Sequence, residues 1–172
     1  RIRVTRGGGS GYWGPGALAG TIELESAGPA TLSPFMGNIA YGSRESLDAQ
    51  ASLALQRDGG FAVMSAAYGR GDGFIPIVAR NRGPADRAAP YEQASANLRA
   101  VVQVAPDTEA QVTATAFTDS RERGTQFSRN TSEGADAALR LVGRGRWGWQ
   151  ALAYVQTRNF TSDFAAVNAT RT

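Results

Sequence analysis

The sequence predicts an all-β fold in which antiparallel strands form an up-and-down transmembrane β-barrel. The first observation is a repeated alternation of apolar and polar residues, which is the spacing of strands that have one apolar face. The second is that short turns and long polar loops alternate along the chain, as they do in barrels of the outer membrane. The third is that no apolar stretch approaches the ~18 residues of a membrane-spanning helix.

The alternation is clearest in the segment Leu47–Arg57. Its odd-numbered positions up to 55 are all Leu or Ala, and its even-numbered positions include Asp, Gln and Ser. The same arrangement recurs in Ala96–Val104, Glu109–Ala116 and Trp147–Arg158. Alanine favours helices intrinsically. At helical spacing, however, the Gln, Arg and Asp residues would surround the whole helix, so the period predicts strands.

Seven strands are predicted in the larger part of the chain. They are Leu32–Tyr41, Leu47–Arg57, Phe61–Tyr68, Ala94–Val104, Glu109–Asp119, Ala135–Val142 and Trp147–Asn159. Short turns near Asp58, Pro106 and Gly143 then lie at one end of the strands. The loops Gly71–Pro90 and Arg123–Ser132, and a third from Asn159 onward, lie at the other end.

Each strand should present one face to lipid and one to a polar barrel interior. The lipid-facing set is expected to include Leu53, Leu98, Val112 and Leu139. The interior set is expected to include Gln50, Arg99, Gln111 and Arg140. Trp147 and Trp149 follow a short turn and are expected in an aromatic girdle on the apolar face, although ordinary hydrophobic core would also accommodate them.

The composition excludes most catalytic chemistry. The 172 residues contain no Cys and no His, and all 18 basic residues are Arg. Thiol nucleophiles, His acid–base catalysis, Cys or His metal sites and lysine Schiff bases are therefore excluded, and we expect no cofactor and no metal. Asp119 with Glu122, or Asp72 with Asp86, would be the carboxylate pairs of a soluble β-rich carbohydrate-active protein, but solvated loop charges account for them better.

Charge and motif patterns also disfavour nucleotide partners. The net charge is +3, and the arginines are spread along the chain without a basic run. Nucleic-acid binding requires a clustered basic stripe with aromatic residues between the charges, so we expect no nucleic-acid partner. Gly9–Gly14 matches G-x-G-x-x-G, but Pro15 and the next strand leave no room for the helix that a dinucleotide motif must open.

The glycine-rich start resembles the end of the plug domain of TonB-dependent outer-membrane receptors. Those plugs close with the pattern RGPxSxLYGxxAxGGxIxI. The matching residues are Arg6, Gly7, Ser10, Trp13, Gly14, Gly16 and Gly20, followed by Ile22 and Leu24 in a strand. Trp13 stands where the family usually has Tyr, and Ala19 replaces the first Gly of the Gly-Gly pair.

The resemblance implies a fragment of a larger receptor. Arg1–Ser26 would be the C-terminal part of the plug domain, and Ala27–Thr172 the first about seven strands of a large barrel. The family implies active uptake of a scarce ligand, siderophore-like or another small molecule, across the bacterial outer membrane, without catalysis. Outer-membrane lipid and TonB would be partners, with TonB bound through a segment outside this sequence. A passive porin-type channel is the alternative, although porins have no plug.

Ligand contacts in this family come from the plug, the inner wall and the outer loops. The expected ligand-binding residues are Phe74, Arg80, Arg82, Arg87 and Tyr91. Their cationic and aromatic groups would hold an anionic or aromatic ligand through charge-assisted hydrogen bonds and cation–π contacts. Pairing of the arginines with loop carboxylates or with lipopolysaccharide is the competing explanation.

Overall fold

A computed structural model describes residues 2–6, 20–25, 28 and 31–172. The chain divides into two compact units, Arg1–Leu32 and Ser33–Thr172. The described residues form antiparallel sheets with no α-helix, which confirms the all-β prediction. No helix in this part of the chain is long and apolar enough to span a bilayer.

The first unit contains a two-stranded antiparallel sheet. Strand β1 (Ile2–Arg6) pairs with β2 (Gly20–Leu24) and places Arg6 opposite Gly20. Gly20 has φ 152°, and a Cβ there would lie 2.4 Å from the carbonyl oxygen of Thr5, so the position requires glycine. The other expected plug-motif residues lie outside the described residues; they are Gly7, Ser10, Trp13, Gly14 and Gly16.

The second unit is a seven-stranded sheet in which every strand pairs with the next one along the chain. Its strands are β3 (Phe35–Tyr41), β4 (Leu47–Arg57), β5 (Gly60–Gly71), β6 (Tyr91–Ala105), β7 (Thr108–Glu122), β8 (Arg129–Gly143) and β9 (Trp149–Asp163). The up-and-down order is the predicted one. Among the described residues β3 and β9 do not pair with each other, so these strands leave the sheet open rather than closed into a barrel.

The alternation of connection lengths is confirmed. Two-residue turns join β4 to β5 and β6 to β7, and residues 144–148 join β8 to β9. At the opposite end of the strands lie residues 72–90, 123–128 and 164–172, together with the shorter connection 42–46. We call these two ends of the sheet the turn end and the loop end. A short 3₁₀ turn, Ala79–Asn81, lies within the first long loop.

All seven predicted strands exist, but several reach further toward the loop end. Strand β8 begins at Arg129 rather than Ala135. The last four residues of the predicted loop Arg123–Ser132 therefore belong to the strand, and the loop prediction is wrong for them. Strand β9 continues past Asn159 to Asp163. The β8 extension is polar on both faces, and the β9 extension places an aromatic residue, Phe160, on the polar face, so alternation does not mark them. Cross-strand hydrogen bonds hold them instead, such as the 3.1 Å bond from Asn159 Nδ2 to Glu133 Oε1.

The start of β9 also differs from the prediction. Trp149 is its first residue and pairs with Gly143 on the same face, whereas Trp147 lies in the preceding turn and is 81% exposed. The Trp149 indole lies over the glycine, since a Cβ at Gly143 would be 2.0 Å from the indole Nε1. The prediction that both tryptophans lie in the strand is therefore wrong for Trp147.

Residues directly opposite each other on neighbouring strands share a face of the sheet. The register therefore continues two different faces across all seven strands. One row is apolar from end to end: Phe35, Leu53, Met64, Leu98, Ala114, Ala137 and Val155. The next row toward the turn end is Leu55, Ala62, Ala100, Val112, Leu139 and Ala153. We call this side of the sheet the apolar face.

The other side, the polar face, carries amides, hydroxyls and charges. One of its rows is Ala40, Asp48, Gly69, Gln93, Asp119, Ser132 and Phe160. The neighbouring row is Asn38, Gln50, Ala67, Ser95, Phe117, Gly134 and Arg158. The two expected residue sets thus lie on opposite faces, which confirms their separation: Leu53, Leu98, Val112 and Leu139 on one, and Gln50, Arg99, Gln111 and Arg140 on the other.

The apolar face is not covered by any described part of the second unit. Leu53 is 42% exposed and Ile39 77% exposed, and the only buried hydrophobic residues among those described are Ala85 and Ala110. A soluble β-sandwich would bury such a face against a second sheet. The strands are held together here by their backbone ladders and by side-chain pairs within each face.

Candidate ligand-binding site

An open cavity of about 430 Å³ lies on the polar face toward the loop end, across β3 to β7. Asp48, Gln93 and Asp119 line it from one cross-strand row, with Gly69 between the first two. The neighbouring row adds further side chains, namely Asn38, Gln50, Ala67, Ser95 and Phe117. We call this space the polar cavity.

Gly69 lets two side chains approach each other on the wall of the polar cavity. A Cβ at this position would lie 3.0 Å from Asp48 Oδ1 and 3.1 Å from Gln93 Nε2. The carboxylate of β4 and the amide of β6 therefore converge over the backbone of β5. The absence of a side chain at Gly69 leaves the space over β5 into which both groups project.

Arg121 neutralises one of the two carboxylates of the polar cavity. Its Nε donates to Asp119 Oδ1 at 2.7 Å and its Nη2 to Oδ2 at 2.8 Å. The same Nη2 donates to Gln93 Oε1 at 3.0 Å, which leaves the Gln93 amide nitrogen available. Asp48 makes no ion pair with any described residue. The lining therefore carries one uncompensated carboxylate, and no arginine belongs to it.

A second arginine holds the aromatic ring of the polar cavity. The Arg158 guanidinium lies 5.2 Å from the centre of the Phe117 ring, and its Nη2 donates to Asp136 Oδ2 at 2.6 Å. To reach that ring from β9 it crosses β8 over Gly134, where a Cβ would lie 2.7 Å from Arg158 Nη1. The cation–π contact and the ion pair together orient the ring.

Arginines at the turn end of the polar face are also engaged. Arg144 Nη1 donates to Glu109 Oε2 at 3.1 Å, and Arg140 Nη2 donates to Gln150 Oε1 at 2.7 Å. The Arg99 guanidinium lies 5.1 Å from the Phe61 ring centre. The charges of the polar face thus interact largely with acids, amides and rings of that same face.

The long loops at the loop end form one cluster around a buried carboxylate. The Asp86 side chain is 1% exposed. Arg171 Nε donates to Asp86 Oδ2 at 2.7 Å, Arg171 Nη2 donates to Oδ1, and the Gly83 N–H donates to Oδ2 at 2.8 Å. The Arg171 hydrogen bonds and then the Gly83 amide lower the pKa of Asp86 from 3.8 to about 2. The same pairing raises the pKa of Arg171.

Backbone hydrogen bonds join the same three segments. The Ala85 N–H donates to the Arg171 carbonyl at 2.9 Å, and the Gln126 N–H donates to the Ala85 carbonyl at 2.9 Å. The Arg87 N–H donates to the Gly124 carbonyl at 3.0 Å. We call residues 72–90, 123–128 and 164–172 the loop cluster.

Two of the three predicted ligand-binding arginines donate hydrogen bonds to carbonyl oxygens of their own loop. Arg82 Nε donates to the Ile77 carbonyl at 2.8 Å. Arg87 Nη1 donates to the carbonyls of Pro84 at 2.6 Å and of Asp86 at 2.9 Å. These bonds satisfy loop carbonyls that no strand partner reaches.

The other three predicted residues lie in separate places. Arg80 is exposed in the 3₁₀ turn, and Phe74 lies under the Arg44 guanidinium at 5.8 Å. Tyr91 begins β6 opposite Gly71 and Arg121. No hydrogen bond or ion pair within the described residues joins any two of the five predicted residues, and their role in binding stays a prediction.

The sequence analysis named Gln50 as an interior residue and Asp119 as a carboxylate of the soluble alternative, but it did not predict that the residues of the polar cavity come together. Asp48, Gln93 and Asp119 look like ordinary interior positions of three different strands. Only the register places them in one row. The available signal was that each residue lies within four residues of the loop end of its strand, which becomes informative once the strand pairing is known.

The structure does not bring together the carboxylate pairs that a soluble carbohydrate-active protein would need. Asp119 and Glu122 project from opposite faces of β7, because they are three residues apart on one strand. Asp86 is buried against Arg171, whereas Asp72 is exposed. The described residues also contain no cluster of three or more potential metal-ligating side chains.

The fold and this cavity define a class of protein domain: an open up-and-down sheet with one uncovered apolar face and one polar face that carries a binding-sized cavity. Comparison of the chain with protein-family models, with curated proteins and with solved structures gives no match.

Proposed function

We propose that this chain is the plug end and the first barrel strands of a TonB-dependent outer-membrane receptor that actively takes up a scarce small molecule. The observation that carries the proposal is the two-faced sheet of consecutive antiparallel strands, with all its long connections at one end. Outer-membrane barrels combine short periplasmic turns with long extracellular loops and alternate lipid-facing with interior residues. The proposal includes no covalent chemistry.

The uncovered apolar face supports a lipid partner. On β6 every second residue from Ala94 to Val102 is apolar, which is about 26 Å of strand at ~3.3 Å per residue. At a tilt of about 40° this gives about 20 Å of height, most of the ~25 Å apolar band of such barrels. Polar residues follow at the loop end, where Glu92 and Arg70 oppose each other.

The open edges of the sheet support a larger barrel. Strand β3 on one side and β9 on the other have no strand partner at their outer edges among the described residues. An unsatisfied backbone group in lipid costs several kcal/mol. In the proposed receptor, further strands pair with both edges and complete a wide barrel of about 22 strands, the size that encloses a plug.

The first unit supports the plug assignment. The motif residues Arg6 and Gly20 stand opposite each other in the antiparallel pair of β1 and β2. This pair precedes the first barrel strand in the sequence, which is the order that the family resemblance requires. TonB, outer-membrane lipid and a small-molecule ligand are the proposed partners.

Planar-bilayer recordings of the full-length protein separate a receptor from a porin. A plugged receptor should give no steady open-channel conductance, and removal of the plug should create it. Site-specific photo-crosslinking in cells with TonB should yield a TonB adduct that is absent from cells without TonB. Steady conductance of the intact protein without a TonB adduct would establish the porin alternative, and a protein that stays in the aqueous fraction would refute both.

A further inference from the structure

We infer that the polar cavity binds a neutral, polyhydroxylated ligand of the size of a short saccharide. The inference rests on the proposed function, because it takes the polar face as the interior wall of a receptor. It differs from the anionic or aromatic ligand that the loop arginines predict. The grounds are the charge of the cavity, its hydrogen-bonding groups and its aromatic ring.

Charge disfavours an anionic ligand in the polar cavity. Asp119 is held by Arg121, while Asp48 has no cationic partner among the described residues. No arginine lines the cavity, and the chain has no Lys or His. A carboxylate or phosphate ligand would therefore meet the Asp48 carboxylate without a countercharge, which is unfavourable in a partly desolvated cavity.

The amide groups favour hydroxyls over a simple cation. Asn38 and Gln50 each offer a carbonyl acceptor and an NH₂ donor, and neither makes a side-chain hydrogen bond to a described residue. Gln93 keeps its NH₂ available because Arg121 binds only its oxygen. An ammonium ligand would use the acceptors and leave these donors unused, whereas adjacent hydroxyls donate and accept together. Asp48 accepts from such a hydroxyl without needing a positive charge.

Phe117 supplies an apolar surface beside these polar groups. Its ring lines the cavity, and Arg158 holds it by a cation–π contact at 5.2 Å. An aromatic ring offers a flat apolar surface, against which the C–H groups of a sugar ring can pack. Polar edges and an apolar face in one ligand are characteristic of saccharides.

The dimensions and position of the polar cavity fit this occupant. Its volume of about 430 Å³ falls within the range of about 300–1,000 Å³ of small-molecule sites. It lies in rows near the loop end, below the connection 42–46 and the loop 72–90. In the proposed topology this is the extracellular half of the interior, which an incoming ligand reaches first.

Calorimetry on the full-length protein in detergent tests the inference. The probes are a panel of neutral saccharides (glucose, xylose, sucrose, maltose, cellobiose and their trisaccharide homologues), with ferric citrate as the anionic probe and spermidine as the cationic probe. We expect at least one saccharide to bind and neither charged probe to compete with it. Binding of a charged probe without any saccharide, or no binding at all, would overturn the inference.

Two adjacent alanines of β5 provide matched variants. Ala67 lines the polar cavity, whereas Ala66 lies on the apolar face. We expect A67F to abolish saccharide binding and A66F to leave it unchanged. Saccharide binding that survives A67F would place the site elsewhere. A protein that passes the bilayer and TonB tests but fails here refutes only the saccharide site, whereas steady channel conductance refutes the receptor.

Discussion

Arg171 and Asp86 form a doubly hydrogen-bonded ion pair although they lie 85 positions apart in the sequence. The carboxylate side chain is 1% exposed and the guanidinium side chain 24% exposed. The pair fastens the segment after β9 to the loop between β5 and β6. Because Asp86 also forms a β-bridge with Thr125, the loop between β7 and β8 is held at the same point.

The first prediction concerns the Arg171→Leu variant. Removing the cation leaves the buried Asp86 carboxylate without a countercharge. Breaking a buried ion pair in this way strongly destabilises the folded state. We expect the loop cluster to open and trypsin to cleave at the exposed Arg80 and Arg82 several-fold faster than in the wild type. Mass spectrometry of the fragments identifies the cut sites.

Two further variants control that experiment. Asp72→Asn changes an exposed carboxylate of the same loop and should leave the cleavage rate unchanged. The double variant of Arg171→Leu with Asp86→Asn removes the buried charge and should be cleaved more slowly than Arg171→Leu alone. Equal cleavage of all variants would mean that the ion pair does not hold the cluster.

The second prediction is the pH range in which the loop cluster opens. The folded pKa of Asp86 is about 2, below its ordinary 3.8, because Arg171 and the Gly83 amide bind the charged form. A carboxyl group whose pKa is lowered by folding stabilises the folded state at pH values above its ordinary pKa. This stabilisation is lost as the pH falls through the pKa of the folded state. The cluster should therefore stay closed down to about pH 4 and open toward pH 2. Spin labels at Pro84 and Phe127 would report this as an increased distance.

A second pair of labels separates loop opening from global unfolding. Ile39 and Tyr154 are exposed residues of β3 and β9. Their mutual distance should stay constant over the pH range in which the loop distance grows. Opening of the loop pair near neutral pH would contradict the assignment of the transition to Asp86.

The third prediction concerns Gly134. A Cβ there would lie 2.7 Å from both Arg158 Nη1 and the Thr157 carbonyl oxygen, and the backbone atom cannot move away cheaply. Gly134→Ala should destabilise the protein by about 1–3 kcal/mol, the usual cost of overpacking. Gly148→Ala is the matched control, because its Cβ would meet nothing closer than 4.0 Å. Urea unfolding of the two variants measures the difference, and equal midpoints would contradict the packing of Arg158 over β8.

The strands could be predicted from the sequence because alternation directly reports a sheet with one apolar face. Strand β4 has the predicted bounds, Leu47–Arg57, since polar turn residues flank a clean alternation. The loop-end extensions could not be predicted this way. The segment that contains Asn130 and Glu133 has polar residues on both faces, and only its pairing with the neighbouring strand shows that it remains in the sheet.

The polar cavity depends on information that alternation does not contain. Asp48 and Asp119 share a row only because four strands pair in one particular register. A shift by one residue would move either carboxylate to the other face. The ion pair of Asp86 with Arg171 is similar, because the positions of two irregular loops follow no periodic pattern.

The fourth prediction tests the apolar face in lipid. Leu98 and Arg99 are neighbours on β6 that lie on opposite faces. With single cysteine labels in a cysteine-free background, a label at Leu98 should be quenched by oxygen dissolved in lipid and one at Arg99 by an aqueous nickel chelate. Leu98→Arg should also destabilise the inserted protein by about 2–4 kcal/mol if the residue is near the bilayer midplane. Equal accessibility of both labels would refute the membrane assignment.

The fifth prediction is the orientation of the sheet in the outer membrane. Long loops of outer-membrane barrels lie outside the cell and short turns in the periplasm. Arg80 in the first long loop and Arg146 in the turn before β9 are both exposed, so they form a matched pair for labelling. On intact cells, a membrane-impermeant maleimide should label Arg80→Cys and not Arg146→Cys, and both should react after the outer membrane is permeabilised. Labelling of Arg146→Cys alone on intact cells would reverse the topology and place the polar cavity toward the periplasm.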